Sequence, residues 1–518
     1  MGNLTPELAA LRDETRDLAK SYGLDFYEVI FELVDYDELN MIASYGGFPV
    51  RYPHWRFGME YEHLSKSYAY GLSKIYELVI NNDPCYAYLM RSNSITEQKL
   101  VMAHVYGHCD FFKNNAWFAH TPRKMMDMMA NHGARIRRYM DRFGQERVEN
   151  FIDLVHSLDN LIDPYSPYID RGTERRRGRP AGRDEDAETP EVRKIAAKDY
   201  MDRYINPPSF LKKERERMEK EQQQERRFPA RPQRDVLKFL LDHAPLETWE
   251  QDALAMLRDE AYYFAPQAMT KIMNEGWAVF WHSRLMTKHL CDASEIVNYC
   301  DTHSGTLSTR PGQVNPYKLG VELFRDIEER WNLGRFGPEY QACDDPETRR
   351  TWNRPTNEGR AKVFEVRRIY NDITFVDEFV TREFADAQKM YVYGQDPQTG
   401  QIVIVDRDYT KVKGQLLEAL TNHGSPIIRV VDGNFRNRGE LYLVHEWVSG
   451  DLQLDEAQMT LQGLFRMWKR PVHIETIEGG KGRLLSYDGE SATTSEITAS
   501  HPAVGRVGVG KVQEAADA

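Results

Sequence analysis

His104-Val105-Tyr106-Gly107-His108 and, far downstream, Asn274-Glu275-Gly276-Trp277-Ala278-Val279-Phe280-Trp281-His282 decide how this chain is read. Residues four apart on a helix share a face, so a helix through 104–108 aims two imidazoles the same way. A glutamate on a second helix, with a small residue beside it, is a natural third ligand for one ion. Two neutral imidazoles and one carboxylate leave a divalent cation one charge short of neutral, with a position open for water. The rest of the chain then reads as scaffold and partner surface around His104, His108 and Glu275.

The His pair alone is weak, since such spacing arises by chance among 15 histidines. The surroundings of Glu275 strengthen it. Asn-Glu-Gly-Trp-Ala resembles the Asn-Glu-Gly-aromatic-Ala segment that supplies the glutamate ligand in zincin peptidases of the two-His-one-Glu type. The chain departs from that pattern at Val105, where an HExxH helix carries its general base, because valine cannot accept a proton from water. Glu60, Glu62, Glu97 and Asp110 are the candidate replacements. Glu60 and Glu62 are preferred for their aromatic neighbourhood, and Asp110 is discounted because it lies about 200° round the helix from His108. His282 reads as a fourth ligand, an oxyanion donor or a core histidine, and His303 and Arg310 as polar groups on the following loop. Zinc is the expected ion, and iron also suits two histidines and a carboxylate. No P-loop, GxGxxG, GxSxG or kinase motif is evident.

Composition bounds the rest. The chain has 518 residues, of which 41% are hydrophobic, enough for a sizeable core and about two to four domains. A net charge of −12 argues against general binding to nucleic acid or anionic membranes. Five widely spaced cysteines, an odd number with no CxxC, suggest free thiols in a reducing compartment. Met1-Gly2-Asn3-Leu4-Thr5 lacks a basic stretch followed by an apolar one, and no apolar run reaches about 18 residues. The expectation is a cytoplasmic protein without signal peptide or membrane span.

Periodicity predicts helices over 5–22, 26–44, 63–80, 97–114, 122–143, 145–161, 246–263, 266–288, 291–301 and 317–331. Residues 171–234, rich in Arg, Lys, Glu and Gln, read as a solvated charged insertion. Beyond residue 386 the texture changes to strands at 390–393, 401–405, 426–431, 440–447 and 472–476, with helices at 410–422 and 455–468. The expected class is α+β: a large, mainly helical body (1–170 and 235–385) holding a zincin-like two-helix metal site, then a small α+β domain (386–480). Residues 481–518, rich in Gly, Ser and Ala, read as a flexible tail.

Longer stretches carry a second likeness. Tyr-Gly-Leu-Asp-Phe-Tyr at 22–27, Phe-Gly-Met-Glu-Tyr-Glu at 57–62 and Tyr-Glu-Leu-Val-Ile-Asn-Asn-Asp-Pro at 76–84 resemble the SpoVR family (stage V sporulation protein R). So do Ala-His-Val-Tyr-Gly-His-Cys-Asp-Phe-Phe-Lys-Asn-Asn at 103–115, Asn-Glu-Gly-Trp-Ala at 274–278 and the segment from Asp432-Gly433-Asn434 to Val444-His445-Glu446-Trp447. The resemblance implies a link to spore cortex formation, or to cell-envelope or stress physiology in bacteria that make no spores. It also implies an AAA+-type serine protein kinase and a von Willebrand-type protein as partners. It fixes no reaction. The residues point to a metal-dependent hydrolase of a peptide or peptidoglycan-type amide. The alternatives are a non-catalytic, metal-stabilised regulator of the kinase and a non-haem iron oxidative enzyme.

Overall fold

Thr5 starts the first helix, α1 (Pro6–Ser21): its hydroxyl accepts from the Leu8 N–H at 3.3 Å, and Pro6 follows at the first helical position. The computed structural model describes residues 2–69, 77–169, 228–310, 312–396, 400–448 and 450–498, together with 207, 208, 210, 212 and 213. The class is α+β, with helices predominating. The chain divides into two units, Met1–Phe151 with Asp259–Ser425, and Ile152–Arg258 with Pro426–Ala518.

In the first unit, residues 26–44 are not one helix but β1 (Val29–Val34) followed by α2 (Tyr36–Ser44). Val29, Phe31 and Leu33 are buried in alternation, the period of a strand, and Asp35 opens α2 with a capping box closed by Glu38. The helix expected over 63–80 begins earlier, as α3 (Trp55–Ala69), and strand β2 (Glu77–Ile80) occupies the end of that range. A further strand that periodicity missed, β3 (Cys85–Met90), is the middle member of a sheet ordered β1-β3-β2. It runs parallel to β1, pairing Val29 with Cys85 through Val34 with Met90, and antiparallel to β2.

Helix α4 (Ile95–Asn114) crosses the core of this unit, and every residue from Val101 to Phe112 is buried. Ser94 caps it: Ser94 Oγ accepts from the Glu97 N–H at 3.3 Å, and Glu97 Oε2 accepts from the Ser94 N–H at 2.7 Å. Then come α5 (Met125–Phe143), α6 (Gln145–His156), α7 (Val236–His243) and α8 (Thr248–Met269). The helix expected over 266–288 is split at Thr270, so that Pro266 lies inside α8 and α9 spans Lys271–Leu285. Helix α10 (Ile296–Leu307) extends past the expected end at 301 and carries His303, which is therefore helical and not on a loop. Further along the body come α11 (Pro316–Asn332), α12 (Gly359–Ile369) and α13 (Asp372–Phe379), with short helices at Gly337–Gln341, Pro346–Thr351 and Arg382–Ala387.

Helix α9 packs against both α4 and α11, and glycines set the spacing. A Cβ placed on Gly107 of α4 would sit 2.7 Å from Ala278 Cα on α9. One placed on Gly276 would overlap the Gly320 backbone on α11, and one on Gly320 would overlap the Ile272 carbonyl. The N-terminus of α9 has no side-chain cap of its own. Asp372, the first residue of α13, supplies it from a distance: its two carboxylate oxygens accept from the N–H groups of Ile272 at 2.8 Å and Met273 at 2.9 Å.

The hairpin β4 (Val392–Gln395) and β5 (Ile402–Asp406), and α14 (Tyr409–Leu420), belong to this same unit, so its boundary lies near 425 and not 386. The second unit has a five-stranded sheet ordered β10-β9-β8-β7-β6. Its strands are β6 (Ile428–Phe435), β7 (Glu440–His445), β8 (Val472–Glu478), β9 (Lys481–Tyr487) and β10 (Ala492–Ile497). Only β7 and β8 pair in parallel, and the return between them is made by α15 (Leu454–Trp468), as parallel pairing requires. Residues 481–498, expected as tail, form β9 and β10: the antiparallel ladder to β8 and the adjacent buried Leu484 and Leu485 hold β9 in the sheet despite the Gly-rich turns. Residues 499–518 and most of the charged insertion, 170–206 and 214–227, lie outside the described residues. Among the described residues no helix is long and apolar enough to cross a membrane.

Two stability outcomes follow from the glycine contacts and the remote cap. Gly320→Ala is expected to destabilise by about 1–3 kcal/mol through overpacking. Asp372→Ala is expected to cost about 1–3 kcal/mol by leaving two buried N–H groups bare. Gly58→Ala, on α3 with open space where the Cβ would go, should be neutral or slightly stabilising. Urea unfolding monitored by circular dichroism separates the three, and an unchanged midpoint for Gly320→Ala would contradict the close helix approach.

Candidate metal centre

The site begins with two buried helices that face one another. On α4, His104 and His108 point at a common place, their Nε2 atoms 2.9 Å apart. From α9, Glu275 Oε2 lies 3.6 Å from His104 Nε2 and 3.5 Å from His108 Nε2. These three edges average about 3.3 Å, the separation of ligand atoms at a tetrahedral ion with bonds of about 2.0–2.1 Å. Among the described residues this is the one group of three or more His, Cys, Asp or Glu side chains gathered closely enough to hold a cation.

The backs of both rings are held. His108 Nδ1–H donates to Asn274 Oδ1 at 2.9 Å, which leaves Nε2 as its lone-pair nitrogen. His104 Nδ1 meets His282 Nδ1 at 2.9 Å, and His282 Nε2 meets His303 Nδ1 at 3.2 Å. Three imidazoles thus run in line from the centre toward α10. Their protons are mutually constrained: if His104 is to offer Nε2 to a cation, its Nδ1–H donates to His282, whose Nε2–H then donates to His303. A pocket of about 90 Å³ opens beside this line, bordered by Glu97, His104, His282, Thr302, His303 and Tyr317. Helix α10 forms one wall, and Tyr299 is its one buried side chain.

With this geometry stated, kinship is decided by the family whose model is described as "SpoVR like protein", which matches residues 3–425. The chain belongs to the SpoVR family. A relative from Escherichia coli (strain K12), called Uncharacterized protein YcgB, is 33% identical over 328 residues, 60% of this chain. That match spans 61% of the relative's own length. No solved structure matches the chain. The family match ends where the first unit ends, so the likeness expected over 432–447 falls beyond it.

Within this SpoVR-family body the structure brings His104, His108 and Glu275 together and does not bring the expected bases. Glu60 and Glu62 sit solvent-exposed on α3, with Glu62 paired to Lys66 at 3.1 Å, and neither borders the pocket. Their aromatic neighbours Tyr52 and Phe57 pack around Arg51 instead of forming a wall of the site. Arg310 is likewise exposed, beyond the end of α10. His282 is not a fourth ligand, because its Nδ1 is turned to the back of His104. Asp110 has a structural partner set: it accepts from the Asp25 N–H and the Trp277 Nε1–H, both at 2.8 Å, with the Arg367 guanidinium 3.4 Å away. Val105 is fully buried in the apolar core. Of the four candidate bases Glu97 borders the pocket, while Asn274 and Tyr317 were not predicted at the site. Asn274 precedes the ligand in the quoted motif and was within reach of that reading; Tyr317 is set by the distant fold of α11.

Burial and proximity fix the charge states. Burial, aided by the neighbouring His104, lowers His108 to about 4, against the pull of Glu275 and Asn274. Burial with His104 and His303 holds His282 well below the usual imidazole range. Burial pushes the Glu275 carboxyl up, but the His104 hydrogen bond and the nearby His108 and His104 outweigh it and hold it below the ordinary value. Near neutral pH, His108 and His282 are therefore uncharged and Glu275 ionised, the forms that ligate.

The depressed His108 value gives a signed pH dependence for chelator-treated protein. An unfolded chain takes up that proton near pH 6.5, whereas the fold resists it until about pH 4. The stability contributed by neutral His108 is complete above that window and falls as pH drops through it, by on the order of 3 kcal/mol. Urea midpoints measured from pH 7 to 4 should fall steeply, and His108→Gln should flatten the fall. A wild-type curve no steeper than that of the variant would refute the assignment.

Proposed function

We propose that this SpoVR-family protein is a metal-dependent hydrolase with a zincin-like centre, acting on a peptide or peptidoglycan-type amide. The observation that supports it best is the meeting of two imidazole nitrogens and one carboxylate oxygen at the spacing of a tetrahedral ion. When bound there, a divalent zinc ion supplies Lewis acidity and lowers the pKa of water. His104, His108 and Glu275 hold the ion, and Asn274 and His282 orient the two rings. With Val105 in place of a base, and Glu60 and Glu62 away from the pocket, proton transfer is assigned to the His282–His303 pair. His303 is half-buried and borders the pocket, so it can pass a proton outward. At about 90 Å³ the pocket admits a small group beside His104.

A second reading, oxidative chemistry at iron, is favoured by one specific observation. The donor set is two histidines and one carboxylate, with no base at position 105.

Metal analysis of protein purified without added metal tests both. About one equivalent of zinc per chain is expected. His104→Ala and Glu275→Ala should lose it while staying folded, and Glu60→Gln and Glu62→Gln should keep it. Chelation should lower Tm in the wild type and leave it unchanged in His104→Ala. Iron in place of zinc moves the assignment to the second reading. Well-folded protein without either metal, even after reconstitution, overturns both. Release of free amine from peptide or muropeptide substrates by the zinc-loaded protein, lost in His104→Ala, then tests the hydrolytic assignment.

A further inference from the structure

Beside α1, flanking its buried face, lies a groove of about 480 Å³, separate from the metal centre. Its size falls in the range of small-ligand pockets, about 300–1,000 Å³. Arg12, Arg16 and Lys20 are spaced one helical turn apart and line one wall. The buried residues of α1, Leu8, Leu11, Thr15 and Ala19, turn that cationic row outward. On a chain of net charge −12 such a row is a local reversal of sign.

The cations are presented rather than neutralised. Arg12 and Arg16 both bond Asp13 Oδ1, at 2.9 and 2.8 Å, and Arg16 Nε bonds Asp17 at 3.0 Å. These carboxylates are exposed, so the pairs orient the guanidinium groups at little energetic cost to displacement. The Lys20 ammonium stands 5.9 Å from the centroid of the Phe26 ring. Phe26 in turn packs at 4.7 Å on Tyr106, whose ring is almost wholly buried while bordering the groove. The Tyr106 hydroxyl reaches only the Arg12 carbonyl, at 3.4 Å, the outer limit of a hydrogen bond. A buried phenol this poorly bonded, beside three cations, has capacity for an incoming acceptor.

We infer that this groove binds a mononucleotide. The phosphates lie along Arg12, Arg16 and Lys20 and accept from the Tyr106 hydroxyl. The base packs on Phe26, and the ribose hydroxyls donate to Asp17 and Glu28, the two carboxylates of the lining. A polynucleotide is disfavoured, because the rest of the acidic chain repels an extended polyanion.

Isothermal titration of the full-length chain with ADP, adenosine, inorganic phosphate and a single-stranded oligonucleotide tests this. ADP is expected to bind with one site per chain, and adenosine and phosphate at least tenfold more weakly. Arg16→Gln and Lys20→Gln should each weaken ADP by about tenfold or more, the loss of one charge-assisted contact. Their Tm should not change, since both side chains are solvent-facing, and His104→Ala should bind ADP as the wild type does. No saturable binding of ADP, wild-type affinity in either variant, phosphate as tight as ADP, or an oligonucleotide tighter than ADP would each overturn the assignment. Loss of ADP binding in His104→Ala would also overturn it, by moving the ligand to the metal centre.

Discussion

The near-contact of three helix backbones is the constraint on which the first unit depends. Gly107 against Ala278 and Gly276 against Gly320 let α9 lie between α4 and α11 with nothing larger than the Ala278 methyl at the crossing points. Ligand atoms at one ion must agree to a few tenths of an ångström, and a single methyl at a crossing moves a helix by more than that. Glu275 stands between Asn274 and Gly276, so the residue that sets the helix distance is next to the residue that uses it. The motif is thus one device: the glycine brings the helix in, the glutamate reaches across, and the asparagine holds the opposite imidazole.

Such packing buries polar groups, and two buried carboxylates find their partners on other elements. Asp372 caps α9 across the fold, and Asp110 collects N–H groups from Asp25 and Trp277. These contacts tie α4, α9, α12 and α13 into one frame, so the positions of the imidazoles are over-determined. The same burial removes the proton from His108 and His282, while proximity to the imidazoles keeps Glu275 charged. Packing and charge state are two consequences of one desolvated environment.

What could be read from the sequence was local. His104 and His108 declare themselves by helical spacing, Glu275 by its neighbours, Thr5 by its capping position, and the strands after 426 by alternation. What was misread depends on partners far along the chain. Val29–Val34 is a strand because Cys85–Met90 lies beside it, and neither stretch announces the other. Lys481–Tyr487 looked like tail until β8 supplied its ladder. Glu60 and Glu62 were misplaced because aromatic density was taken for a pocket wall, whereas those rings serve Arg51, itself paired with the buried Glu260 at 2.6 Å. His282 and His303 were named, but their order behind His104 is a property of three helices at once.

Helix α4 bears two chemistries on opposite sides. His104 and His108 face α9, and Tyr106, about 200° round from each, meets the groove beneath α1. Neither face is free to adjust alone, because residues 101–112 are packed on all sides and a rigid helix moves as a body. Position 105 packs into the core and helps lock the helix, while His282 and His303 stand behind His104 on α9 and α10.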